Sequence, residues 1–349
     1  MKRIAIYIPT LKSGGAEKQA LILACILSKA NEVHLITFNS CEIDKQQHLE
    51  LLEQTSVVRH CISGSVFSKA KGLTAILTEN KIEILFNYLT YPDVLGSYVG
   101  KKTGVTKIYN GIRNFHLPWL KFIFERFVHN HFVSATIFNC FSGAEDFKKR
   151  GFDANKCIVI PNCYPNISPV IKRQDKAIKT IITVGRFVRQ KDYLTAIKAI
   201  AKMKSRHDFN YHIVGYGQLE SQIRTWVQEY GISDKTIISI NPTNVQKLLQ
   251  QADIYLSTSL YEGTSNSIME ALDACLPVVC TDVGDNSQLV ENDVNGFLHS
   301  VGNYNGISNS LKCLLEDATM RNIYGERGNK LLKDNFSIRT FFLRYSALI

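Results

Sequence analysis

Residues 254–281 read IYLSTSLYEGTSNSIMEALDACLPVVCT, and this stretch decides the fold. An apolar run from Ile254 leads into a polar loop that contains a glycine, and a second apolar run begins at Pro277. This order predicts a buried strand, a loop, a helix and the next strand of a parallel sheet. The first turn of the helix offers unpaired backbone N–H groups and the positive end of its dipole, which together suit an anion.

Two carboxylates flank this predicted anion site. Glu262 lies in the loop, and Glu270 follows inside the helix. Backbone amides and the helix dipole stabilise a phosphate, whereas carboxylates accept hydrogen bonds from sugar hydroxyls. The stretch therefore predicts a site for a ligand that carries both phosphates and hydroxyls, such as a nucleotide sugar.

The glutamate pair and its surroundings resemble the paired-glutamate motif of retaining glycosyltransferases with the GT-B fold, in particular glycosyltransferase family 4. The pair alone would be a weak signal, because two acids at this spacing are common. Stretches similar to the family's motifs occur in the expected order at Gly14–Glu17, Val184–Lys191, Val214–Leu219, Ser259–Leu272, Pro277–Asn286 and Asn295–Leu298. The resemblance spans most of the chain and is weakest between about residues 40 and 105.

The length and the periodicity of the chain predict its fold class. A chain of 349 residues suits two domains of roughly 100 to 200 residues each. Short apolar runs alternate with helical patterns, which is typical of α/β domains with doubly wound parallel sheets. Strands are predicted at residues 4–8, 33–38, 57–61, 82–87, 107–110, 135–141, 158–162, 180–184, 211–214, 236–240, 254–257 and 278–281.

The resemblance implies two Rossmann-like domains that face each other across a cleft. We expect an N-terminal, acceptor-side domain at residues 1–165 and a C-terminal, nucleotide-sugar-binding domain at residues 177–335. Residues 166–176 are polar and contain a proline, which predicts a linker. Residues 336–349 have helical spacing and, as in relatives, are expected to cross back onto the first domain.

The length of the apolar runs and the spacing of the cysteines predict the cellular compartment of the protein. The apolar runs fall short of the roughly 18 residues that a spanning helix needs, and the first run ends at Pro9, so neither a membrane span nor a signal peptide is predicted. The nine cysteines form no Cys-x-x-Cys pair and no Cys/His cluster, which predicts reduced thiols and no metal site. We expect a cytoplasmic protein, at the inner face of the cytoplasmic membrane if its acceptor is lipid-linked.

The net charge of +10 is concentrated in the first half of the chain. Residues 1–165 hold 20 Lys and Arg against 13 Asp and Glu, a difference of +7. A basic surface attracts anionic lipid, a polyanionic acceptor or nucleic acid. Because no Arg/Gly-rich arm, basic helix or aromatic RNA-binding motif accompanies the charge, we expect no nucleic acid partner and favour a peripheral contact with an anionic membrane.

An aromatic and basic segment, residues 118–132, has helical periodicity. The spacing predicts a buried stripe on this helix. The stripe comprises Leu120, Ile123, Phe124, Phe127 and Val128. Trp119 and Phe122 fall off the stripe, which leaves two alternatives: they dip into a bilayer interface or line an acceptor channel, or they are additional packed aromatics of an ordinary helix.

Candidate site residues in the first half follow two predicted strands. Gly14 and Gly15 permit a close backbone approach, and the resemblance implies that they face the phosphate and sugar of the donor. Many relatives place a histidine near the reacting centre. The corresponding loop here holds Arg113 and Asn114, with His116 behind them, so Arg113 and Asn114 are candidates for contacts to the donor sugar or acceptor.

Two cations in the second half, Arg186 and Lys191, are implied to form the diphosphate clamp. They would neutralise the leaving diphosphate in place of the divalent metal that other transferases require. No Asp-x-Asp metal motif occurs, so we expect no metal and no cofactor beyond the nucleotide sugar itself. Asp192 stands where the family usually has glycine, which we interpret as a helix-capping change.

The resemblance also assigns the remaining donor contacts. Gly215, Gly217 and Leu219 form a turn beside the base and ribose, and Asn241 is a candidate for reading the base edge. The turn lacks a third glycine and is therefore a weak nicotinamide fingerprint. Glu270 is implied to hold the ribose hydroxyls and Glu262 the donor sugar. The amides near the sugar and phosphate are those of Gly263, Thr264, Ser265 and Asn266.

Together these features predict a metal-independent, retaining hexosyltransferase. It would move a sugar from a nucleotide diphosphate sugar, such as a UDP-sugar, to a lipid-linked glycan acceptor in bacterial surface polysaccharide or lipopolysaccharide assembly. The alternatives are a nucleotide-sugar epimerase or phosphorylase of the same architecture, or a non-catalytic sugar-nucleotide-binding relative. The intact Arg186, Lys191, Glu262 and Glu270 argue against the last of these.

Overall fold

The computed structural model describes residues 1–12, 15–40, 46–113, 117–205 and 207–349. Gly14, Asn114 and His116 lie outside the described residues. The chain divides into two compact units, unit 1 at residues 1–163 with 338–349 and unit 2 at residues 164–337.

Unit 1 is built on a parallel sheet. Its strands are β1 (Arg3–Tyr7), β2 (Glu32–Thr37), β3 (Val58–Cys61), β4 (Ile84–Asn87), β5 (Lys107–Ile112), β6 (Ala135–Phe138) and β7 (Cys157–Val159). Its helices include α1 (Gly15–Leu27), α2 (Gln46–Glu53), α3 (Val66–Glu79), α4 (Thr90–Lys102), α5 (Trp119–His131) and α6 (Phe141–Lys149). The strand order is β3-β2-β1-β4-β5-β6-β7, with β1 and β4 buried almost throughout because helices cover both faces of the sheet.

Unit 2 repeats this architecture. Its strands are β8 (Lys179–Val184), β9 (Phe209–Gly215), β10 (Thr236–Ile240), β11 (Ile254–Ser257), β12 (Val278–Thr281) and β13 (Gly296–His299). Its helices are α7 (Tyr193–Ala201), α8 (Glu220–Glu229), α9 (Val245–Gln251), α10 (Asn266–Asp273), α11 (Asn286–Leu289), α12 (Tyr304–Glu316) and α13 (Ala318–Phe336). The strand order is β10-β9-β8-β11-β12-β13, and each predicted strand of the chain overlaps an observed one. Two parallel doubly wound sheets confirm the predicted fold class.

The last helix, α14 (Ile338–Ser346), belongs to unit 1. Phe341 and Tyr345 are buried in the same apolar core as α1 and β1. The Tyr109 hydroxyl, in β5, donates a 2.8 Å hydrogen bond to the carbonyl of Leu348. Apolar burial and this backbone contact therefore fix the end of the chain on unit 1.

Residues 166–176 are part of unit 2, so the predicted linker is wrong. The guanidinium of Arg173 donates to the carbonyls of Ala252, Ala274 and Cys275 at 2.8, 2.5 and 2.6 Å. These carbonyls follow α9 and α10, where the last turn of a helix leaves acceptors unpaired. Polar composition indicates that regular secondary structure is absent, but it does not reveal such packing contacts.

The helix α5 buries a different face from the predicted one. Its buried side chains are Phe122, Glu125, Val128 and His129, and Phe122 is 7% exposed. Trp119 is 69% exposed, together with Leu120, Ile123, Phe124 and Phe127 of the predicted stripe. Hydrophobic periodicity could not find the buried face, because that face contains two polar side chains with partners inside the unit. We call the exposed set Trp119, Leu120, Ile123, Phe124 and Phe127 the outer face of α5.

The expectation of reduced cysteines holds for part of the chain. Cys61, at the end of β3, is disulfide-bonded. The cysteines that form no disulfide are Cys25, Cys140, Cys157, Cys163, Cys275, Cys280 and Cys313. The spacing of cysteines along a sequence does not reveal which sulfur atoms the fold brings together.

The packing of α13 on the turn after α10 gives a stability prediction. A Cβ atom at Gly325 would lie 2.1 Å from the carbonyl oxygen of Cys275, a backbone atom with little freedom to move. We expect Gly325→Ala to lower the free energy of unfolding by about 2 kcal/mol, although alanine itself favours a helix. Urea unfolding measures the change.

Gly328→Ala is the matched control for this substitution. The nearest atom to its added methyl group is Cδ2 of Leu272 at 2.7 Å, the end of a flexible side chain. We expect Gly328→Ala to lower the free energy of unfolding by much less than Gly325→Ala does. Equal losses would show that close backbone approach does not determine this packing.

Candidate functional site

A cavity of about 370 Å³ lies at the carboxyl ends of β8, β9, β10 and β11. The central strand β8 is the point at which the strand order of unit 2 reverses, because β9 lies on one side and β11 on the other. Open α/β sheets bind their ligands at such a point. The cavity is lined by Val184, Gly185, Arg186, Gln190, Lys191, Val214, Gly215, Tyr216, Asn241, Pro242, Val245, Glu262, Thr264, Ser265, Asn266, Ser267 and Glu270.

Lys191 and Glu262 meet at the centre of this lining. The Lys191 ammonium donates a hydrogen bond to Oε1 of Glu262, and the Ser259 hydroxyl donates to the same oxygen at 2.7 Å. The two charged side chains are 16% and 10% exposed. The fold thus brings a cation and a carboxylate into direct contact inside the cavity, with a hydroxyl that fixes the carboxylate.

Backbone contacts join the loops that carry these two side chains. The amide of Leu260 donates to the Gln190 carbonyl, and the side-chain amide of Gln190 donates to the Tyr261 carbonyl, both at 2.8 Å. The Thr258 hydroxyl donates to the Lys191 carbonyl at 3.1 Å. The loop after β8 and the loop after β11 therefore form one structural element.

Asp192 caps α7, as predicted from the sequence. Its φ is 43°, in the left-handed region, and its side chain accepts from the Thr195 amide at 3.4 Å. Glycine is the residue that adopts this backbone conformation at least cost, and aspartate is among those that tolerate it. The left-handed geometry explains why either residue suits this position, while the carboxylate adds a cap.

The turn after β9 approaches the turn after β8 closely. A Cβ at Gly215 would lie 1.9 Å from the Gly185 carbonyl oxygen. Gly217 has a φ of 147°, and a Cβ there would lie 2.7 Å from the Phe187 carbonyl oxygen. The Leu219 amide donates to that carbonyl at 3.0 Å. Gly215 lines the cavity, whereas the described cavity lining does not include Gly217 and Leu219, which instead hold the backbone at Phe187.

The N-terminal turn of α10 contributes one wall of the cavity. Ser265 occupies the cap position but makes no side-chain cap hydrogen bond, so backbone N–H groups of the first turn have no side-chain acceptor there. Thr264, Ser265, Asn266 and Glu270, which were predicted to contact the donor, all line the cavity. The described lining does not include Gly263, whose carbonyl accepts a 3.4 Å hydrogen bond from the Asp285 amide.

Asn241 and Tyr216 form the wall at the end of β9 and β10. Asn241 has a φ of 44°, and its amide donates to the Gly215 carbonyl at 2.9 Å. Tyr216 is 55% exposed and was not predicted as a site residue, although it stands between two motif glycines. Gln190, Pro242 and Ser267 also line the cavity but were not predicted as site residues. Gln190 and Ser267 lie inside recognised motifs, and Pro242 follows Asn241, but none of the three carries a charge that marks it as a ligand contact.

The first-half candidates lie in unit 1. Gly15 begins α1, and Arg113 directly follows β5. The Arg113 guanidinium donates to Asn162 and to the Tyr345 hydroxyl at 3.2 and 3.1 Å and lies 4.9 Å from the centre of the Tyr88 ring. Its Nε is buried and has no hydrogen-bond partner among the residues that the structure describes. Arg113 is therefore a held cation with one unused donor.

Comparison with known families identifies unit 2. Residues 167–331 match the profile described as Glycosyl transferases group 1, and this range contains every residue that lines the cavity. Unit 2 is a glycosyl transferases group 1 domain. The protein is a glycosyltransferase.

Two curated relatives from Campylobacter jejuni resemble this glycosyltransferase along nearly their whole length. One is N-acetylgalactosamine-N,N'-diacetylbacillosaminyl-diphospho-undecaprenol 4-alpha-N-acetylgalactosaminyltransferase, 27% identical, with 99% of each chain covered. The other is GalNAc-alpha-(1->4)-GalNAc-alpha-(1->3)-diNAcBac-PP-undecaprenol alpha-1,4-N-acetyl-D-galactosaminyltransferase, 23% identical, with 96% of this chain and 94% of that enzyme covered.

A solved structure confirms the fold of the glycosyltransferase. Anabaena Alr3699/HepE in complex with UDP superimposes with a TM-score of 0.81 over 99% of both chains at 18% identity. The likeness extends over both sheets, as the GT-B expectation requires.

The positions of the two glutamates predict different effects of substitution. Glu270→Ala should weaken UDP binding by about tenfold, because a ribose contact is shared by the ground state and the transition state. Glu262→Ala should instead lower kcat by about 100-fold with a smaller effect on UDP affinity. Calorimetric UDP titration and initial rates distinguish the two.

Glu229→Ala, on the exposed surface of α8, is the control for removing a glutamate from unit 2. It should change neither the affinity for UDP nor kcat. If circular dichroism shows that Glu262→Ala and Glu270→Ala merely unfold the protein, both acids are structural.

Proposed function

We propose that this glycosyltransferase moves a hexose-type sugar, with retention, from a UDP-sugar to a glycan carried on an undecaprenyl-type diphosphate, in bacterial surface polysaccharide or lipopolysaccharide assembly. The observation that carries the donor half is the cavity, which combines Arg186, Lys191, Glu262 and Glu270 at a helix N-terminus. The acceptor half is supported by the relatives, both named for acceptors linked to undecaprenol through a diphosphate. UDP as the donor nucleotide is supported by the bound UDP of the structural neighbour.

The Lys191–Glu262 contact suggests how the donor is engaged. An entering diphosphate competes with Glu262 for the Lys191 ammonium, because phosphate oxygens carry the greater negative charge. Glu262 then accepts a hydrogen bond from a sugar hydroxyl, while Ser259 keeps the carboxylate in place. Donor binding thus exchanges one ion pair for two ligand contacts.

Catalysis in this proposal rests on positioning and charge stabilisation. Arg186 and Lys191 stabilise the departing diphosphate as the glycosidic bond breaks, without a metal ion or other cofactor. The departing phosphate oxygen accepts the acceptor's proton on the same face of the sugar, so the configuration is retained. The alpha linkages in the relatives' names support retention, since the common UDP-hexoses are themselves α-linked. Arg113, and Asn114 outside the described residues, are the proposed contacts to the donor sugar or acceptor.

An epimerase or phosphorylase of this architecture would turn over the nucleotide sugar without a glycan acceptor. The relatives favour transfer to an acceptor. Screening UDP-sugars by thermal shift, followed by assays with and without a lipid-linked acceptor, tests the proposal. Isomerisation or phosphorolysis without an acceptor would contradict it.

The diphosphate clamp gives a quantitative prediction. We expect activity to survive EDTA, and Arg186→Ala or Lys191→Ala to lower kcat/KM by about 100-fold, which corresponds to about 2.7 kcal/mol of transition-state stabilisation. Arg189→Ala is the matched control, because Arg189 is an exposed cation between the two and is absent from the described cavity lining. A strict requirement for Mg²⁺ or Mn²⁺ would refute the clamp.

We further propose that unit 1 binds the inner face of an anionic membrane through the outer face of α5. No helix within the described ranges is long and apolar enough to cross a bilayer. A contiguous exposed apolar face on one helix indicates a binding surface, and the exposed Lys121 and Arg126 on the same helix suit an anionic bilayer. This contact would place the site beside a lipid-linked acceptor.

Substitutions on α5 test the membrane contact. Trp119→Ala with Phe124→Ala should reduce binding to vesicles containing anionic lipid by about tenfold, because two interfacial side chains are removed. Raising the salt concentration should weaken binding further through screening. Vesicle co-sedimentation measures both effects.

Leu343→Ala, which removes an exposed apolar side chain from α14, is the control and should leave vesicle binding unchanged. Wild-type protein that ignores anionic vesicles at low salt would contradict the membrane contact. So would a concentration-dependent dimer that the α5 double substitution abolishes, since a second copy would then cover this face.

A further inference from the structure

Unit 1 contains two buried carboxyl groups that the proposed transfer does not use. Asp93, in the first turn of α4, is 0% exposed, and Glu125, in α5, is 1% exposed. Their carboxyl groups are close enough for a hydrogen bond between them, and the side chain of Thr90 is close enough to Glu125 for another. Because two ionised carboxylates are both acceptors, such a bond requires a proton on one of them.

Unpaired atoms at this contact support a shared proton. Oδ2 of Asp93 and Oε1 of Glu125 are buried and accept no hydrogen bond from an N–H or hydroxyl donor in the described part of the chain. Burial also raises the pKa of both groups, that of Asp93 to about 7 and that of Glu125 well above its usual value. The pair therefore joins α4 to α5 through a shared proton. Either side chain in water would lose this proton at neutral pH.

The other oxygen of Asp93 fixes the end of β5. Oδ1 accepts a hydrogen bond from the Gly111 amide at 3.0 Å, and the Gly111 carbonyl accepts from the Leu89 amide at 3.3 Å. The side chain of Asn110 accepts from Asn87 and Ser97, both at 2.9 Å. The two residues that precede Ile112 and Arg113 are thus held through buried side-chain and backbone contacts.

Backbone strain occurs at the same place. Leu89 has a φ of 76° and a ψ of 157°, a region that residues other than glycine rarely occupy. A Cβ at Gly111 would lie 2.8 Å from the Asn87 carbonyl oxygen, so the ends of β4 and β5 approach more closely than a side chain would allow. Strain of this kind persists where the surroundings fix the conformation and often marks a functional site.

We propose that Asp93 and Glu125 are positioning residues whose single shared proton holds the end of β5 and thereby keeps the guanidinium of Arg113 in place for a contact with the substrate. The substrate class is an anionic or hydroxyl-rich part of the donor or acceptor, which accepts from a guanidinium. The role of Arg113 in substrate binding rests on the proposed function. The proton-sharing pair itself does not.

The pair predicts a pH dependence of known sign. In the unfolded chain both carboxyls ionise at a pKa of about 4, whereas the folded pair retains a proton at higher pH. Its contribution to stability is therefore complete below about pH 4 and is lost as the pH rises toward and through the raised pKa values. Within that window the unfolding equilibrium constant rises by about tenfold per pH unit.

Few other ionisable groups act on the pair. Arg113, from the end of β5, lowers the pKa of Asp93 through its charge. Tyr88, after β4, and Tyr345, in α14, act on Arg113. His129, one turn beyond Glu125 on α5, is hydrogen-bonded to Thr136 at 2.7 Å, and burial lowers its pKa to about 4, so it is neutral across the window above pH 6.

Glu125→Gln in the full-length protein is the decisive variant. Glutamine has nearly the same shape, and its amide donates to Asp93 at every pH. We expect kcat/KM of the wild type to decline as the pH rises above 7. Glu125→Gln should retain its kcat/KM at pH 7 and lose this alkaline decline. Between pH 6 and 8.5 its unfolding constant should diverge from that of the wild type by up to about tenfold per pH unit.

Hydrogen exchange supplies a readout that needs no substrate. Amides of residues 107–113 should exchange faster in the wild type as the pH rises, beyond the intrinsic tenfold per pH unit of the chemistry, whereas Glu125→Gln should follow the intrinsic rate. Glu125→Ala should exchange fast at all pH values, and unchanged UDP binding would show that unit 2 remains folded. Glu145→Gln, an exposed glutamate on α6, is the matched control and should behave as the wild type.

The outcomes separate this proposal from the proposed function. Parallel stability curves for the wild type and Glu125→Gln would overturn the shared proton. A different outcome is that the stability curves of the wild type and Glu125→Gln diverge while their exchange at residues 107–113 and their pH–rate profiles are identical. This result would overturn the positioning role. If no UDP-sugar is turned over at all, the proposed function fails, while the stability and exchange measurements still decide whether the pair fixes β5.

Discussion

The contact between Lys191 and Glu262 is the interaction on which the donor site depends. It joins the loops after β8 and β11, two neighbouring strands whose carboxyl ends meet at the point where the strand order of unit 2 reverses. Hydrogen bonds from the Leu260 amide and from the side chains of Gln190 and Thr258 to backbone carbonyls join the two loops into one element. Because both side chains are mostly buried, solvent screens the pair little. In the function that we propose, a phosphate takes the place of Glu262 at Lys191, while Ser259 still donates to Glu262.

In unit 1 the buried polar side chains form a hydrogen-bond network and not an ion pair. Around the ends of β4 and β5 a buried network of Asn87, Ser97, Asp93, Asn110 and Glu125 holds the backbone that leads to Arg113. A buried polar group costs free energy when it has no partner, and in our proposal a shared proton supplies the hydrogen bond between the two carboxyl groups of this network. The order at this strand end therefore depends on a proton, whereas the order in unit 2 depends on an ion pair.

The surface of α5 illustrates how a buried network changes what a helix exposes. Because Glu125 and His129 have partners inside unit 1, the helix turns these polar side chains inward. Its apolar side chains, led by Trp119, then remain on the outside. The orientation of α5 that buries Glu125 beside Asp93 thus also exposes the apolar face that we propose for membrane contact.

The sequence alone determined the sheets and the donor cavity, and the reason is locality. The periodicity of strands and helices is a local property of the sequence, so β8 to β12 could be predicted. The motifs that follow these strands predicted a cavity with Arg186, Lys191 and Glu262. The edge strand β13 was missed, because a short strand that begins with a glycine has no strong local pattern.

Tertiary structure decided the features that depend on partners distant in sequence. Arg173 binds carbonyls of α9 and α10, which turned an expected linker into part of unit 2. The Leu219 amide donates to the Phe187 carbonyl, and Gly217 lies too close to that carbonyl for a side chain. The burial of α5 depended on Asp93, far away in the chain, because the energy of a buried carboxyl is set by the groups that surround it and not by its neighbours in sequence.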